Sequence, residues 1–260
     1  MPNVHSADGT VIDFDQAGSG PAVVLIGAGP TDRNANADVA ALLAETCTVI
    51  NYDRRGRGRS GDTPPYSVDR ELEDLSAITA TVDGDVQLFC TSGGAFLGFR
   101  AVAAGLRCAG IAVWEPPYVL PGSRPPVPGD YQRRMTELAE AKDHGGMVEL
   151  FMTVAVGMPP EFVVGMRQGP YWEFVEAAAS PALMYDAELA GDFSLPTTQL
   201  AAVGCPVLII DGGTTPWLTQ ASDAVAAALP KGSRQTLTGQ QHNVEASALV
   251  PTLSAFFTRS

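Results

Sequence analysis

The chain has 260 residues, a length that suits one large domain with a substantial core. Hydrophobic residues make up 45% and charged residues 17%, and the formal charge is −13, from 16 Lys and Arg against 29 Asp and Glu. Such an acidic surface repels phosphate backbones and anionic lipid, so it argues against nucleic-acid or membrane partners and leaves a small molecule as the expected one. Residues 1–8 are polar and contain no apolar signal-like stretch, and no apolar run in the sequence is long enough to cross a membrane. The four cysteines, Cys47, Cys90, Cys108 and Cys205, lie scattered in or beside apolar segments. That usage fits a reducing compartment, and a cytoplasmic location is the expectation.

In chain order, strand patterns come first at residues 11–14 and 22–26. The turn-rich link Ala17-Gly18-Ser19-Gly20-Pro21 between them predicts a hairpin. A strand at 48–52 leads into Tyr52-Asp53-Arg54-Arg55-Gly56-Arg57-Gly58-Arg59-Ser60, whose interleaved glycines fit a tight loop better than a basic stripe. A helix is predicted over 67–81, where Val68, Leu72, Leu75 and Ile78 share one face and Ser67 stands at the N-cap position. A strand at 86–90 stops at Ser92, a helix-compatible run follows from Ala95, and another strand reads at 111–114. The next 90 or so residues carry no clear strand. They open on Pro116-Pro117 and a second proline-rich run at 121–128, then give helical patterns near 130–142, 146–156, 159–167, 171–179 and 181–190. A strand at 207–211, a helix at 222–229, a strand at 234–237 and a helix at 247–257 complete the chain. The alternation predicts an α/β fold with a mostly parallel sheet flanked by helices. Residues 1–115 and 196–260 form its core, and 116–195 form an inserted helical cap, or lid.

The chemistry centres on Val86-Gln87-Leu88-Phe89-Cys90-Thr91-Ser92-Gly93-Gly94-Ala95. A serine between a strand and a helix, with small neighbours, projects from a sharp turn, and the amide after it can face a developing oxyanion. A plain Ser-Gly-Gly turn can also join a strand to a helix. The segment resembles the nucleophile elbow of the α/β-hydrolase superfamily, G-x-S-x-G, with Cys90 in place of the first glycine. Residues 53–60 resemble the D-x-R-G-x-G-x-S segment of the same superfamily. The chain is therefore similar to capped serine-nucleophile members of the kind common in actinobacteria, over 8–115 and 196–260.

That resemblance implies an α/β-hydrolase fold and attack by Ser92 on an acyl carbon, with no cofactor. It implies a histidine base in the loop before the last helix. Of the three histidines, His5, His144 and His242, only His242 lies there. The usual acid position after the strand at 207–211 holds Thr215, which carries no charge. Some members place the acid after the preceding strand, where this chain has Glu115, and Asp211 is the rival. Oxyanion donors are expected at Gly93 and at Gly29 or Ala28, in Gly27-Ala28-Gly29-Pro30. As a lone Gly-x-Gly, that loop lacks the third glycine of a dinucleotide site. With three scattered histidines and no zinc-spaced cysteine pair, no metal is expected.

Aromatic and thioether residues of the cap, Tyr118, Met135, Phe151, Met152, Phe162, Tyr171, Trp172 and Phe174, together with Trp217, are candidates for an apolar substrate wall. Tyr118, Phe151, Trp172 and Trp217 are the foremost. They favour a bulky hydrophobic ester, lactone or thioester over a charged metabolite. Two rivals remain open on the same fold: a lyase or cyclising enzyme of secondary metabolism, and a ligand-binding pseudoenzyme.

Overall fold

The computed structural model describes residues 2–258. Eight strands form one sheet: β1 (Asn3–His5), β2 (Val11–Ala17), β3 (Ala22–Ile26), β4 (Thr48–Tyr52), β5 (Val86–Thr91), β6 (Cys108–Trp114), β7 (Val207–Asp211) and β8 (Gly232–Thr236). Their spatial order is β1-β2-β4-β3-β5-β6-β7-β8. The pairs β1/β2 and β2/β4 are antiparallel, and every later pair is parallel. This is the mostly parallel sheet expected from the alternation, in the α/β-hydrolase arrangement that the motif resemblance implies.

The predicted hairpin between the strands at 11–14 and 22–26 does not form. β2 pairs with β1 and β4, whereas β3 lies between β4 and β5. The cause is legible in β3 itself. Val23, Val24, Leu25 and Ile26 are all fully buried, and a strand apolar on both faces needs covered neighbours on both sides. The link at 17–21 packs instead on the turn before β4. A Cβ on Gly18, whose φ is +82°, would lie 2.2 Å from the Cys47 carbonyl oxygen.

Alternate β-strand residues serve two cores. Val23, Leu25, Val49, Phe89, Ala112 and Trp114 face α1 (Ala37–Leu43) and α11 (Ala246–Phe257), which contribute Leu43, Leu249 and Leu253. Val24, Ile26, Leu88, Ile111 and Val113 face the other way. There they meet α2 (Val68–Thr79), α3 (Gly94–Ala103) and α10 (Pro216–Ala228) through residues such as Leu75, Leu97 and Val225. α1 and its preceding 3-10 turn at Arg33–Asn36 have no counterpart in the sequence prediction. α2 starts after Ser67, whose backbone is extended as an N-cap requires, though its side chain makes no capping bond. α10 begins six residues earlier than predicted, with Pro216 in its first turn, where the missing N–H costs nothing.

Between β6 and β7 lie α4 (Tyr131–Glu140), α5 (His144–Leu150), a π-helical turn at Phe151–Val156, α6 (Pro160–Met166), α7 (Pro170–Ala177), α8 (Ala182–Ala190) and α9 (Thr197–Ala201). Gly157, in the left-handed region at φ +81°, ends the π-turn. The attachment of α8 to the core is polar and aromatic. Tyr185 stacks on Tyr66 at 3.7 Å and donates to Asp62 at 2.8 Å. Beside it the Asp186 carboxylate accepts from Arg54 at 2.8 Å and from Arg57 at 2.6 Å. The arginine-rich loop is thus an internal charge network: Arg54 also pairs with Glu71, and Arg55 with Asp74 and Asp8. Burial by itself raises the Glu71 carboxyl, but the Arg54 guanidinium overcomes it and holds Glu71 down at about 2.

Candidate active site

Ser92 follows β5 directly, in the left-handed region at φ 51°, a conformation that non-glycine residues rarely adopt. Its amide donates to the Trp114 carbonyl at 2.8 Å, which ties the turn to the end of β6. The crowding that requires small neighbours is measurable at Gly94, where a Cβ would lie 2.4 Å from the Ile26 carbonyl oxygen. Cys90 fits in place of a glycine because α3 yields the space. A Cβ on Gly98 would stand 2.5 Å from the Cys90 sulfur, so the two positions exchange volume. Complete burial pushes the Cys90 thiol up, away from the reactive thiolate.

Glu115 follows β6 as Ser92 follows β5, and it too has positive φ, 45°. The turn aims a carboxylate that is only 1% exposed at the loop before α11. One oxygen lies 2.7 Å from Nδ1 of His242, and the other accepts from the Gly212 amide at 3.1 Å. The histidine loop is held from below by Trp114, whose indole N–H donates to the His242 carbonyl at 2.8 Å. Sequence reasoning assigned no role to Trp114 or Gly212. The only available signal was adjacency, since each neighbours a carboxylate candidate.

Asp211 is equally buried but differently engaged. Its carboxylate meets Arg234 at 2.6 Å and accepts from the Gly213 amide at 2.9 Å. Thr215 stands at the N-cap of α10 with no capping bond from its side chain. His5 lies on the edge strand β1 and His144 begins α5, so the structure does not bring either of them to Glu115.

On the facing loop, Ala28 approaches the elbow: its methyl carbon is 3.3 Å from where a Cβ on Gly93 would stand. Gly93 is the N-cap residue of α3, so its amide lies at the positive end of that helix. The Gly29 amide has a different partner, donating to the Asp186 carboxylate of α8 at 2.7 Å. That contact between the inserted helices and the 27–30 loop had no sequence signal, because 157 residues separate its members.

The aromatic candidates separate into groups. Phe151 packs over the 27–30 loop, its ring 3.8 Å from where a Cβ on Gly29 would stand. Phe96 flanks Gly93, and Tyr118 meets Phe96 edge-on at 5.0 Å. Trp217, in the first turn of α10, has the Arg124 guanidinium 4.7 Å above its ring. Trp172 and Met135 are buried in helix packing, with Arg167 over the Trp172 ring at 5.5 Å. Phe162, Tyr171 and Phe174 are each more than half exposed and face solvent. Among the described residues no group of three His, Cys, Asp or Glu side chains is placed to hold a metal. Among them, too, no helix is long and apolar enough to cross a membrane.

Comparison with known proteins agrees with this fold. A model of the alpha/beta hydrolase family matches residues 23–250. An alpha/beta hydrolase from Sphaerobacter thermophilus is 45% identical, with 99% of this chain and 100% of that one covered at a TM-score of 0.93. A thermophilic esterase from Thermogutta terrifontis shares the fold at a TM-score of 0.75 and 19% identity, covering 98% of this chain and 97% of its own. Among curated proteins, the uncharacterized hydrolase YraK of Bacillus subtilis is 33% identical over 94 residues, so the match spans 35% of this chain and 35% of that relative. The chain belongs to the alpha/beta hydrolase family and is an enzyme of hydrolase type.

Proposed function

We propose that the protein is a serine hydrolase acting on an ester, lactone or thioester of a bulky, largely apolar small molecule through an acyl-enzyme. The observation that carries this reading is the 2.7 Å contact between Glu115 and Nδ1 of His242. A buried carboxylate on Nδ1 fixes the ring's tautomer and leaves Nε2 to act as the base. Ser92 Oγ attacks the acyl carbon and Nε2 takes its proton. The imidazolium formed is stabilised by the Glu115 carboxylate, itself held by the Gly212 amide. The tetrahedral oxyanion is received by the amides of Gly93 and Ala28. Gly29 is the weaker candidate, because its N–H already donates to Asp186. Collapse expels the alcohol or thiol with the proton from Nε2, and water activated by His242 then releases the acid. No cofactor enters these steps.

In this reading residues 116–195 are the cap and the reaction belongs to the cytoplasm. Phe151 and Trp217 are the foremost substrate walls, with Tyr118 beside the elbow behind Phe96. Trp172 supports the cap from within its packing.

The test is a serine-directed phosphonate together with a generic aryl ester. Ser92→Ala is expected to abolish both labelling and turnover. A label recovered on the Cys90 peptide would remove Ser92 from its role. Turnover in oxygen-labelled water separates hydrolysis from elimination or cyclisation, since only hydrolysis places the label in the product acid.

A further inference from the structure

Arg124, on the proline-rich segment leaving β6, differs from most of the half-buried or buried arginines of the fold, though Arg100 too donates to a main-chain carbonyl, that of Leu189 at 3.0 Å. Arg33, Arg54, Arg55, Arg57 and Arg234 each meet a carboxylate. Arg124 donates only to main-chain carbonyls, those of Ala155 at 2.8 Å and of Val154, and its guanidinium lies 4.7 Å above the Trp217 ring. In a chain with 29 acidic residues, no carboxylate forms an ion pair with this partly buried cation among the described residues. Burial pushes the Arg124 guanidinium below its ordinary value, with no anion to restore it.

Its position makes that charge informative. The π-turn that holds Arg124 begins at Phe151, the residue packed over Gly29 of the oxyanion loop. Val154 and Ala155 lie three and four residues further along the same turn. On the other side, Trp217 opens α10, and the nearby Thr214 hydroxyl donates to the carbonyl of Gln240, two residues from His242, at 2.9 Å. Arg124 thus lies between the segment over the oxyanion loop and the segment beside the histidine loop.

We propose that Arg124 is a substrate-binding residue that receives a carboxylate carried by the substrate a few bonds from its scissile acyl carbon. A guanidinium has five N–H donors in one plane, and the two carbonyl contacts leave donors free for an anion. The Trp217 face holds the plane in place while the rest of the substrate lies along Phe151. This rests on the serine-hydrolase reading and narrows it. The substrate is an ester, lactone or thioester on a mainly apolar frame with one acidic group, in place of the wholly uncharged molecule that the aromatic residues alone imply. The competing role is a latch, in which Arg124 does no more than close the end of the π-turn.

The experiment compares aryl hexanoate with the mono-aryl ester of adipic acid, matched in chain length and differing by one carboxylate. Wild type is expected to favour the adipate ester. Arg124→Gln is expected to lower kcat/KM for it by about tenfold to a hundredfold, mostly through KM, and to change the hexanoate by less than about threefold. Arg124→Lys retains part of the preference. Equal losses on both esters, or a wild-type preference for hexanoate, would overturn the proposal in favour of the latch. Calorimetric titration with adipate separates this inference from the reaction. Adipate binding that Arg124→Gln abolishes sustains the anion site even if neither ester turns over, in which case only the hydrolase reading falls. Adipate binding indifferent to the substitution, or absent from wild type, overturns the anion site while leaving Ser92 labelling to speak for the chemistry.

Discussion

Glu115 and Asp211 stand at the ends of neighbouring parallel strands, on the same edge of the sheet, and both are buried to within 1%. They nevertheless meet different chemistry. Asp211 is still in the ladder, paired in register with Thr236, and its carboxylate turns to the side chains of β8, where Arg234 holds it. Glu115 is one residue past the end of β6, and its positive φ turns the carboxylate out of the ladder towards the loop that carries His242. An acid inside the sheet register is claimed by the adjacent strand. An acid just beyond it is open to whatever loop crosses the sheet edge.

The comparison breaks most directly through turnover. Glu115→Gln is expected to lower kcat on an aryl ester by about 10³- to 10⁴-fold, the scale of neutralising the carboxylate of a triad. Asp211→Asn should stay within about threefold on the same assay, and the reverse ranking would move the catalytic acid to β7. The support beneath the histidine is weaker. Trp114→Phe removes the indole donor to the His242 carbonyl, worth about 1 kcal/mol, so a loss of about fivefold to tenfold in kcat is expected with little change in KM. An unchanged kcat would show that the loop keeps its geometry without that bond.

Stability gives the opposite ranking for Asp211. Leaving Arg234 without its buried partner is expected to cost about 3 kcal/mol, read as a lower urea midpoint for Asp211→Asn. A smaller and pH-limited effect belongs to Glu71, the buried partner of Arg54. Its carboxyl is lowered from 4.5 to about 2, so its contribution to stability is complete above about pH 4.5 and is lost as pH falls towards 2. Urea midpoints from pH 6 to pH 2.5 should fall less steeply in Glu71→Gln than in wild type. Parallel slopes would remove Glu71 from the acid-sensitive set.

How much of this was legible in advance depended on the range of the interaction. The strand, serine and helix around Ser92 lie within 18 residues of sequence, from Val86 to Ala103, and local crowding dictates them. Glu115 was reachable because Thr215, at the usual acid position, cannot carry charge. The hairpin between β2 and β3 was misread because the link at 17–21 has the turn residues of a hairpin, while the pairing was decided by the burial of β3 on both faces. Phe162, Tyr171 and Phe174 illustrate the same limit: an aromatic residue on a helix is apolar in sequence, but only the packing decides whether it faces a pocket or solvent.

By itself, the sequence determined the alternation of strands and helices, the serine on its sharp turn, a histidine in the last loop and a helical insertion before β7. Each of these follows from residue periodicity, from steric limits at a few positions, or from motifs contained in short segments. The tertiary structure alone decided which carboxylate meets His242, which amide of the 27–30 loop is already taken, and which arginines meet main-chain carbonyls in place of an acid. Those outcomes depend on pairs more than 100 residues apart, such as Glu115 with His242 and Gly29 with Asp186. Buried charges and donors must find partners within the folded volume, and only the packing of distant segments sets which partners are within reach.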